Sequence, residues 1–331
     1  LLKNFDQSLY HPECNEKEGN EMAKQTKKLL LAVDGSDRAL DAVKYVSGFA
    51  PFHKSKAVLF NVFSGVPESY WDLEKDPQFS HATREVRAWE MEQRKVMHEF
   101  MEKAKQLMIR SGFPQNQITI KIQNRKKGIA RDIIHEATKG YNAVVIGRKG
   151  FGAFKETIVG SVANKIVEKA SFLPVLMIGQ IPPDENILIA IDGSESTIRA
   201  VDYIADTLGG FDFKIHLIHV IRGVMNLHPG SPHLFLPKDA AEQLQKEINA
   251  VFEKTIRRLI EAGFQENQIK TRIISGAQSR AGAIIQEARD HEYGTIVIGR
   301  KGLSKVQEFL MGRVSNKVIH TVRNRAVWVV T

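Results

Sequence analysis

Gly147-Arg148-Lys149-Gly150, nine intervening residues and then Gly160-Ser161-Val162 form a spacing suited to holding an anion. Glycines let backbone N–H groups approach a bound group closely. A helix starting at Ser161 would add uncommitted N–H donors, a favourable dipole and a hydroxyl. The spacing returns as Gly299-Arg300-Lys301-Gly302 followed by Gly312-Arg313-Val314. Each copy is preceded by an apolar run ending in aspartate: Leu29 to Val33 closes on Asp34-Gly35-Ser36, and Ile187 to Ile191 closes on Asp192-Gly193-Ser194. Glycine pairs alone serve ordinary turns, so the weight lies on the ordered combination and not on any one pair.

The elements that must position these residues follow from local pattern. Leu29 to Val33 is continuously apolar, as in a strand covered on both faces, which puts Asp34 at its carboxyl end. Ser36 caps the next helix, whose buried stripe is Ala39, Val43, Val46 and Ala50. Ala57 to Phe63 reads as a second strand. A long helix then carries Trp89, Val96, Phe100 and Leu107 on one face and stops at Gly112. Ile118, Ile120 and Ile122 alternate like a sheet-edge strand, whereas Ala143 to Ile146 reads as central, between helices near 129–139 and 161–170. Val175 to Ile178 closes the unit. Strand and helix alternate throughout, which predicts an α/β fold with an open parallel sheet.

The chain is this unit written twice. Tyr45 recurs as Tyr203, Val62 as Val220, and Ser111-Gly112-Phe113 as Ala262-Gly263-Phe264, with the second middle loop shorter. A unit of roughly 150 residues is long enough for its own core. The expected organisation is an extension over 1–26 and domains over 27–180 and 181–331. The closing strands Val175 to Ile178 and Val327 to Val330 are apolar throughout, and such an exposed edge invites aggregation. Pairing them with each other, through a pseudo-two-fold with Pro182-Pro183-Asp184 in the linker, would hide both.

Composition narrows the class. The 331 residues are 43% hydrophobic and 26% charged, the balance of a globular protein. No apolar run nears the roughly 18 residues that cross a bilayer, and no signal-peptide core follows Leu1, so a cytoplasmic protein without membrane partners is expected. The single cysteine, Cys14, excludes an internal disulfide framework, and with His11 it gives too few ligands for a metal. The net charge of +9 is scattered, without an aromatic-basic platform or a DNA-reading motif, so no nucleic-acid partner is expected. The first 26 residues lie outside the repeat, as a loose terminus, a docking arm, or a stretch preceding a start at Met22.

The order aspartate-ended strand, strand-ended glycine loop, Gly-x2-Gly-x9-Gly-Ser and helix resembles the universal stress protein family in its tandem form, over residues 27 to 331 apart from the middle loops. The resemblance implies two five-stranded parallel sheets of order 3-2-1-4-5, similar to the adenine nucleotide alpha hydrolase fold, and ATP with Mg2+ as ligand. Asp34 would then bond the ribose or the adenine edge, and the backbone of Val62 would read adenine. Gly147 and Gly150 would approach ribose and phosphate, while Gly160, Ser161 and Val162 would hold the outer phosphates.

In the second half Asp192, Val220, Gly299, Gly302, Gly312 and Val314 match, but Arg313 stands where the first half has serine. Arginine in a first helical turn opposes the dipole by about 0.3 to 1 kcal/mol and so calls for an anionic partner. It would either grip a nucleotide bidentately or fill the phosphate space itself. Arg148-Lys149 and Arg300-Lys301 read equally as phosphate attractors or as solvated side chains. His216 and His219 are three apart on a strand, hence on opposite faces. His228 and His233 belong to a Pro-rich loop read as a cover for the second pocket, and Trp71 in the matching first loop reads equally as a cover for the first or as an exposed loop aromatic.

Neither a Walker-type lysine loop nor a Ser-Gly-Gly-x-Asp-Ser pyrophosphate loop is present, which favours binding over catalysis, with slow ATP hydrolysis at most. The leading expectation is an ATP-binding stress-response module acting on a protein partner or as a homodimer, with the nucleotide in the first half. The alternative is a nucleotide-independent scaffold or accessory subunit.

Overall fold

A computed structural model of the chain describes residues 26–66, 80–149, 158–222, 238–303 and 311–331. His11, Cys14, Met22, Trp71, Gly150, His228 and His233 lie outside these segments. The first half runs β1 (Lys28–Ala32), α1 (Asp37–Gly48), β2 (Lys56–Phe63), α2 (Ser80–Arg110), β3 (Ile118–Asn124), α3 (Ile129–Ala137), β4 (Ala143–Gly147), α4 (Ser161–Lys169) and β5 (Val175–Ile178). The second repeats it as β6 (Asn186–Ala190), α5 (Glu195–Leu208), β7 (Lys214–Arg222), α6 (Lys238–Glu261), β8 (Ile269–Ala277), α7 (Arg280–Asp290), β9 (Thr295–Gly299), α8 (Arg313–Thr321) and β10 (Ala326–Val330).

The strands join one ten-stranded sheet of order β3-β2-β1-β4-β5-β10-β9-β6-β7-β8. Each half is parallel in the order 3-2-1-4-5, and the halves meet where β5 and β10 pair antiparallel, with Trp328 opposite Leu176. The apolar closing strands therefore cover each other's edges. Successive residues of β1 feed opposite layers: Leu29 and Leu31 pack beneath α1 and α2, and Leu30 beneath α3 and α4. Helices α5 and α6 continue the first layer, α7 and α8 the second. No helix among the described residues is long and apolar enough to cross a membrane.

Two of the expected stripes shift. Ala50 falls in a short 3-10 turn and is exposed, so the α1 stripe ends at Val46. On α2 the fully buried apolar residues are Met101, Ala104 and Met108, with Phe100 and Leu107 packed beside them, whereas Trp89 is 55% and Val96 50% exposed. Trp89, Val96, Met97 and Phe100 of α2 instead line the cleft described below.

The seam between the halves is aromatic and polar by turns. Trp328, fully buried, touches the rings of Phe49 and Phe52 from the first half and Tyr203 from the second, and Tyr45 Oη lies 2.7 Å from Thr295 Oγ1. Arg148 and Arg300, each 3% exposed, cross this seam in opposite directions. Arg148 donates to the carbonyls of Ile319 (3.0 Å), in the last turn of α8, and Arg325 (3.1 Å), just before β10. Arg300 donates to the carbonyls of Val167 (2.5 Å) and Glu168 (2.6 Å), at the end of α4. Neither arginine is a phosphate attractor or a solvated side chain. Each caps the other half's last helix, where free carbonyls and the negative end of the dipole favour a cation.

An acid-sensitive contact holds α3. Glu136, nearly buried, accepts from Lys121 Nζ (2.7 Å), Lys139 Nζ (2.8 Å) and Tyr141 Oη (2.9 Å). Burial works to raise its pKa, but the three donors prevail and hold it at about 2, below the ordinary 4.5. A depressed carboxylate stabilises the fold above its unfolded pKa and loses that contribution as pH falls toward the folded value. The expected loss is roughly 2 to 3 kcal/mol between about pH 5 and pH 2. Urea titrations across that range should show a shallower acid limb for Glu136→Gln, and parallel limbs would refute the assignment.

Candidate functional site

Both clefts open where the strand order reverses, at the carboxyl ends of β1 and β4 and of β6 and β9, the place where open α/β sheets take ligands. In the first, Gly35 adopts φ +86°, a conformation that side chains resist, and this turns the chain from β1 into α1. Ser36 donates through N (3.1 Å) and Oγ (2.6 Å) to Asp34 Oδ1, and its Oγ accepts from Ala39 N (3.2 Å) as the helix cap. Gly193, with φ +78°, serves the second copy.

The glycine loops are closed by their own backbone: Gly160 N donates to the Arg148 carbonyl (2.8 Å) and Gly312 N to that of Arg300 (2.9 Å). Gly160 and Gly312 then start α4 and α8, and no side chain caps either helix among the described residues. Their first-turn N–H groups are thereby left to the cleft. Asp34, Val62, Gly147, Gly160, Ser161 and Val162 all line one cavity of about 630 Å³. Asp192, Val220, Gly299, Gly302, Gly312, Arg313 and Val314 all line a second of about 820 Å³. Both fall within the roughly 300 to 1,000 Å³ typical of small-ligand sites.

Gly147 and Gly299 have a structural reason of their own. A Cβ at Gly147 would lie 2.7 Å from the Arg38 carbonyl oxygen, and one at Gly299 2.9 Å from the backbone of Ser196. Each strand end is a glycine because the first turn of α1 or α5 presses on it. Gly147→Ala is therefore expected to cost about 1 to 3 kcal/mol in the ligand-free chain, read as a lower thermal midpoint. An unchanged midpoint would return this glycine to ligand contact alone.

The clefts differ in chemistry. The first is walled by Phe60, Phe63, Ile133 and Ile146, with the half-exposed Trp89 and Val96 at its side. Its charged lining among the described residues is Asp34 and Lys149. The second carries Arg222, Arg280, Lys301, Arg313 and Lys317 against Asp192 and Glu247. Arg313 is exposed, makes no ion pair with the described residues and leaves the cavity open, so it does not fill the phosphate space. Asp192 reaches the glycine loop of its own half: its Oδ1 accepts from Ser194 N (3.0 Å) and Thr197 Oγ1 (3.2 Å), and its Oδ2 from Leu303 N (3.3 Å).

Two lining residues escaped the sequence reading. Asn61, 4% exposed, donates through Nδ2 to the Val33 carbonyl (2.7 Å), tying β2 to the end of β1, while its Oδ1 is buried without a partner among the described residues. Its counterpart is His219, whose pKa is lowered by burial, against the opposing pull of the Ile191 backbone and Asp192. Arg280 donates through Nε to the Val220 carbonyl (3.3 Å), so that backbone acceptor is already engaged in the second cleft. The repeat spacing pairs Asn61 with His219 and would have exposed both as strand-end polar positions. His216, on the opposite face of β7, packs edge-on to Tyr293 at 4.9 Å.

Comparison with known proteins accounts for the whole architecture. The model of the universal stress protein family matches twice, over residues 25–179 and 185–330. A universal stress protein of Mycolicibacterium smegmatis is 24% identical over 296 residues, covering 88% of this chain and 92% of that one. The crystal structure of a universal stress protein from Archaeoglobus fulgidus superposes with a TM-score of 0.56 at 20% identity, covering 93% of this chain and 99% of that one. A universal stress protein structure from Pseudomonas aeruginosa superposes at 0.54 and 18% identity, over 92% and 93%. With the family's unit present twice and its two copies sharing one sheet, the chain belongs to the universal stress protein family as a tandem member.

Proposed function

We propose that the chain is a nucleotide-binding regulatory protein whose first cleft takes ATP, and that nucleotide occupancy alters its contacts with a protein partner during a stress response. The observation that carries this reading is the convergence of Asp34, Val62, Gly147, Gly160, Ser161 and Val162 on one cavity beside an uncapped helix amino terminus. Val62 and the apolar wall would receive the base, Asp34 the ribose hydroxyls, and the first turn of α4 with the Ser161 hydroxyl the phosphates. Lys149 adds a cation near that end.

Mg2+ suits this donor set. No cluster of three or more His, Cys, Asp or Glu capable of holding a metal occurs among the described residues. Mg2+ keeps most of its waters and is commonly held through nucleotide phosphates with one or two protein oxygens. Among the described lining residues, Ser161 Oγ and Asp34 would be the oxygens nearest such an ion in this reading, and the ion would neutralise phosphate charge there. Asp34 is the carboxylate of this lining and its Oδ1 is engaged in the turn to Ser36, so binding rather than hydrolysis is the activity that fits.

The test is the nucleotide released per chain when freshly purified protein is denatured, with added Mg-ATP as the second arm. About one or two nucleotides per chain supports the reading. None, with no rise in thermal midpoint at 100 times a micromolar Kd, where about 2.7 kcal/mol is expected, leaves the scaffold reading. The half-exposed Trp89 and Val96 are the observation on that side, since an apolar surface of this kind can meet a partner with or without nucleotide.

A further inference from the structure

Building on the nucleotide reading above, we propose that the two clefts take different bases: the second holds an oxopurine nucleotide such as a guanine nucleotide, and Arg280 is the residue that reads it. The ground is one backbone acceptor that stays open in the first half and is occupied in the second.

Sheet order lays the second cleft out strand by strand. Gly299 at the end of β9 and the first turn of α8 form the anion side, Asp192 follows on β6, and Val220 lies beyond it on β7. Neighbouring strands are about 4.8 Å apart, so the ends of β9 and β7 are separated by about 10 Å, which leaves a sugar's width between a phosphate at one and a base at the other. Backbone groups of a strand point alternately to its two sides. The Ile218 carbonyl accepts from Ile191 N on the β6 side (2.9 Å), so the Val220 carbonyl, two residues on, points the same way, past the end of β6. The first half is built alike: the Phe60 carbonyl accepts from Val33 N (2.8 Å), and that of Val62 points past the end of β1.

The halves part at the first residue of the next helix. Ile129 begins α3 and Arg280 begins α7 at the same place in the repeat, and each lines its own cavity. Ile129 has no donor, so the Val62 carbonyl is left as an acceptor for a ligand amine. The first half's nearby cations, Arg125, Lys126 and Lys127, are not part of that cavity's lining. In the second half Arg280 Nε donates to the Val220 carbonyl (3.3 Å), which occupies the acceptor and fixes the guanidinium at the base side of the cleft. Arg280 is exposed and forms no ion pair with the described residues, so its terminal N–H groups remain for a ligand. On one edge of a purine, guanine presents two acceptors, N7 and O6, which match a guanidinium fork, whereas adenine presents N7 and an amine that a cation repels. A single residue thus changes the group that the same strand end accepts.

Mg-GTP and Mg-ATP test this directly, since they differ only in the base. Calorimetric titration of the full chain, with the first cleft disabled by Ser161→Glu, should show GTP binding at least ~10-fold tighter than ATP. Adding Arg280→Ile, the first-half residue, should erase or invert that preference, chiefly through lost GTP affinity. Arg280→Lys, which keeps the charge without the fork, should lose most of it as well. Equal affinity for the two nucleotides, or tighter ATP, would overturn the proposal. A preference that survives Arg280→Ile while both nucleotides weaken alike would overturn it too, because Arg280 would then act on phosphate. If wild-type chain binds ATP but the Ser161→Glu chain binds neither nucleotide, the proposal falls and the first-cleft reading stands. If wild-type chain binds neither, both fall. Thermal midpoints of the variants within a few degrees of wild type establish that folding is not the cause.

Discussion

Arg148→Ala is expected to lower the free energy of unfolding by about 2 to 4 kcal/mol, the combined effect of one buried and one partly buried carbonyl left without donors and of the lost side-chain packing. The carbonyls are those of Ile319 and Arg325, and both belong to the second half of the chain. Burial pushes the guanidinium down to about 10, which keeps it charged at neutral pH, where it meets the negative end of α8. Arg148→Lys should recover only a minor part, because an ammonium is a point charge and cannot bridge carbonyls as a planar fork does. Guanidinium-chloride unfolding curves provide the measurement, and a loss below about 1 kcal/mol would show that the seam is held by its aromatic contacts alone. Arg300→Ala should behave alike through Val167, Glu168 and α4. Since both arginines belong to the glycine loops, each cleft's loop is anchored in the opposite half, and neither half carries a complete set of anchors for its own loop.

The repeat made most of the architecture legible before any coordinates. Strands read from continuous apolar runs, the edge character of Ile118 to Ile122 and the pairing of the last strands all follow from burial patterns that are local or twofold repeated. The position of Gly147 was legible, but its reason was not, because the Arg38 carbonyl that crowds it is 109 positions earlier. The crossed arginines were illegible for the same reason in stronger form: Arg148 lies 171 residues from Ile319, and nothing in Gly-Arg-Lys-Gly distinguishes the buried arginine from the partly exposed lysine beside it. The α2 stripe misled at Trp89 and Val96, since helical periodicity reports a face and not whether the sheet extends beneath it. The cationic second cleft was visible at Arg313 alone. Arg222 and Arg280 came from two other loops, and only the fold brings them to one wall.

Ser161→Glu separates fold from function most sharply. Ser161 is the first residue of α4, exposed, and part of the lining of the first cavity. A carboxylate in a first helical turn is favoured by the dipole, so stability of the ligand-free chain should hold or rise by about 0.3 to 1 kcal/mol. The same carboxylate would stand where a triphosphate must lie, replacing a hydroxyl donor with a like charge in a space partly screened from water. ATP affinity at the first cleft should fall at least ~100-fold, or about 2.7 kcal/mol. Ser161→Ala, which removes only the hydroxyl, should fall by about 10-fold at most, in line with the loss of one hydrogen bond to a charged group. Titration of the two variants with Mg-ATP, alongside their thermal midpoints, gives four numbers that only one arrangement satisfies. A Ser161→Glu chain that binds ATP as wild type does would mean that phosphate never approaches α4, and the first cleft would then have to bind something else. A chain that loses ATP while keeping its midpoint would place the phosphates at the amino terminus of α4, where the backbone donors of Ser161 and Val162 are gathered.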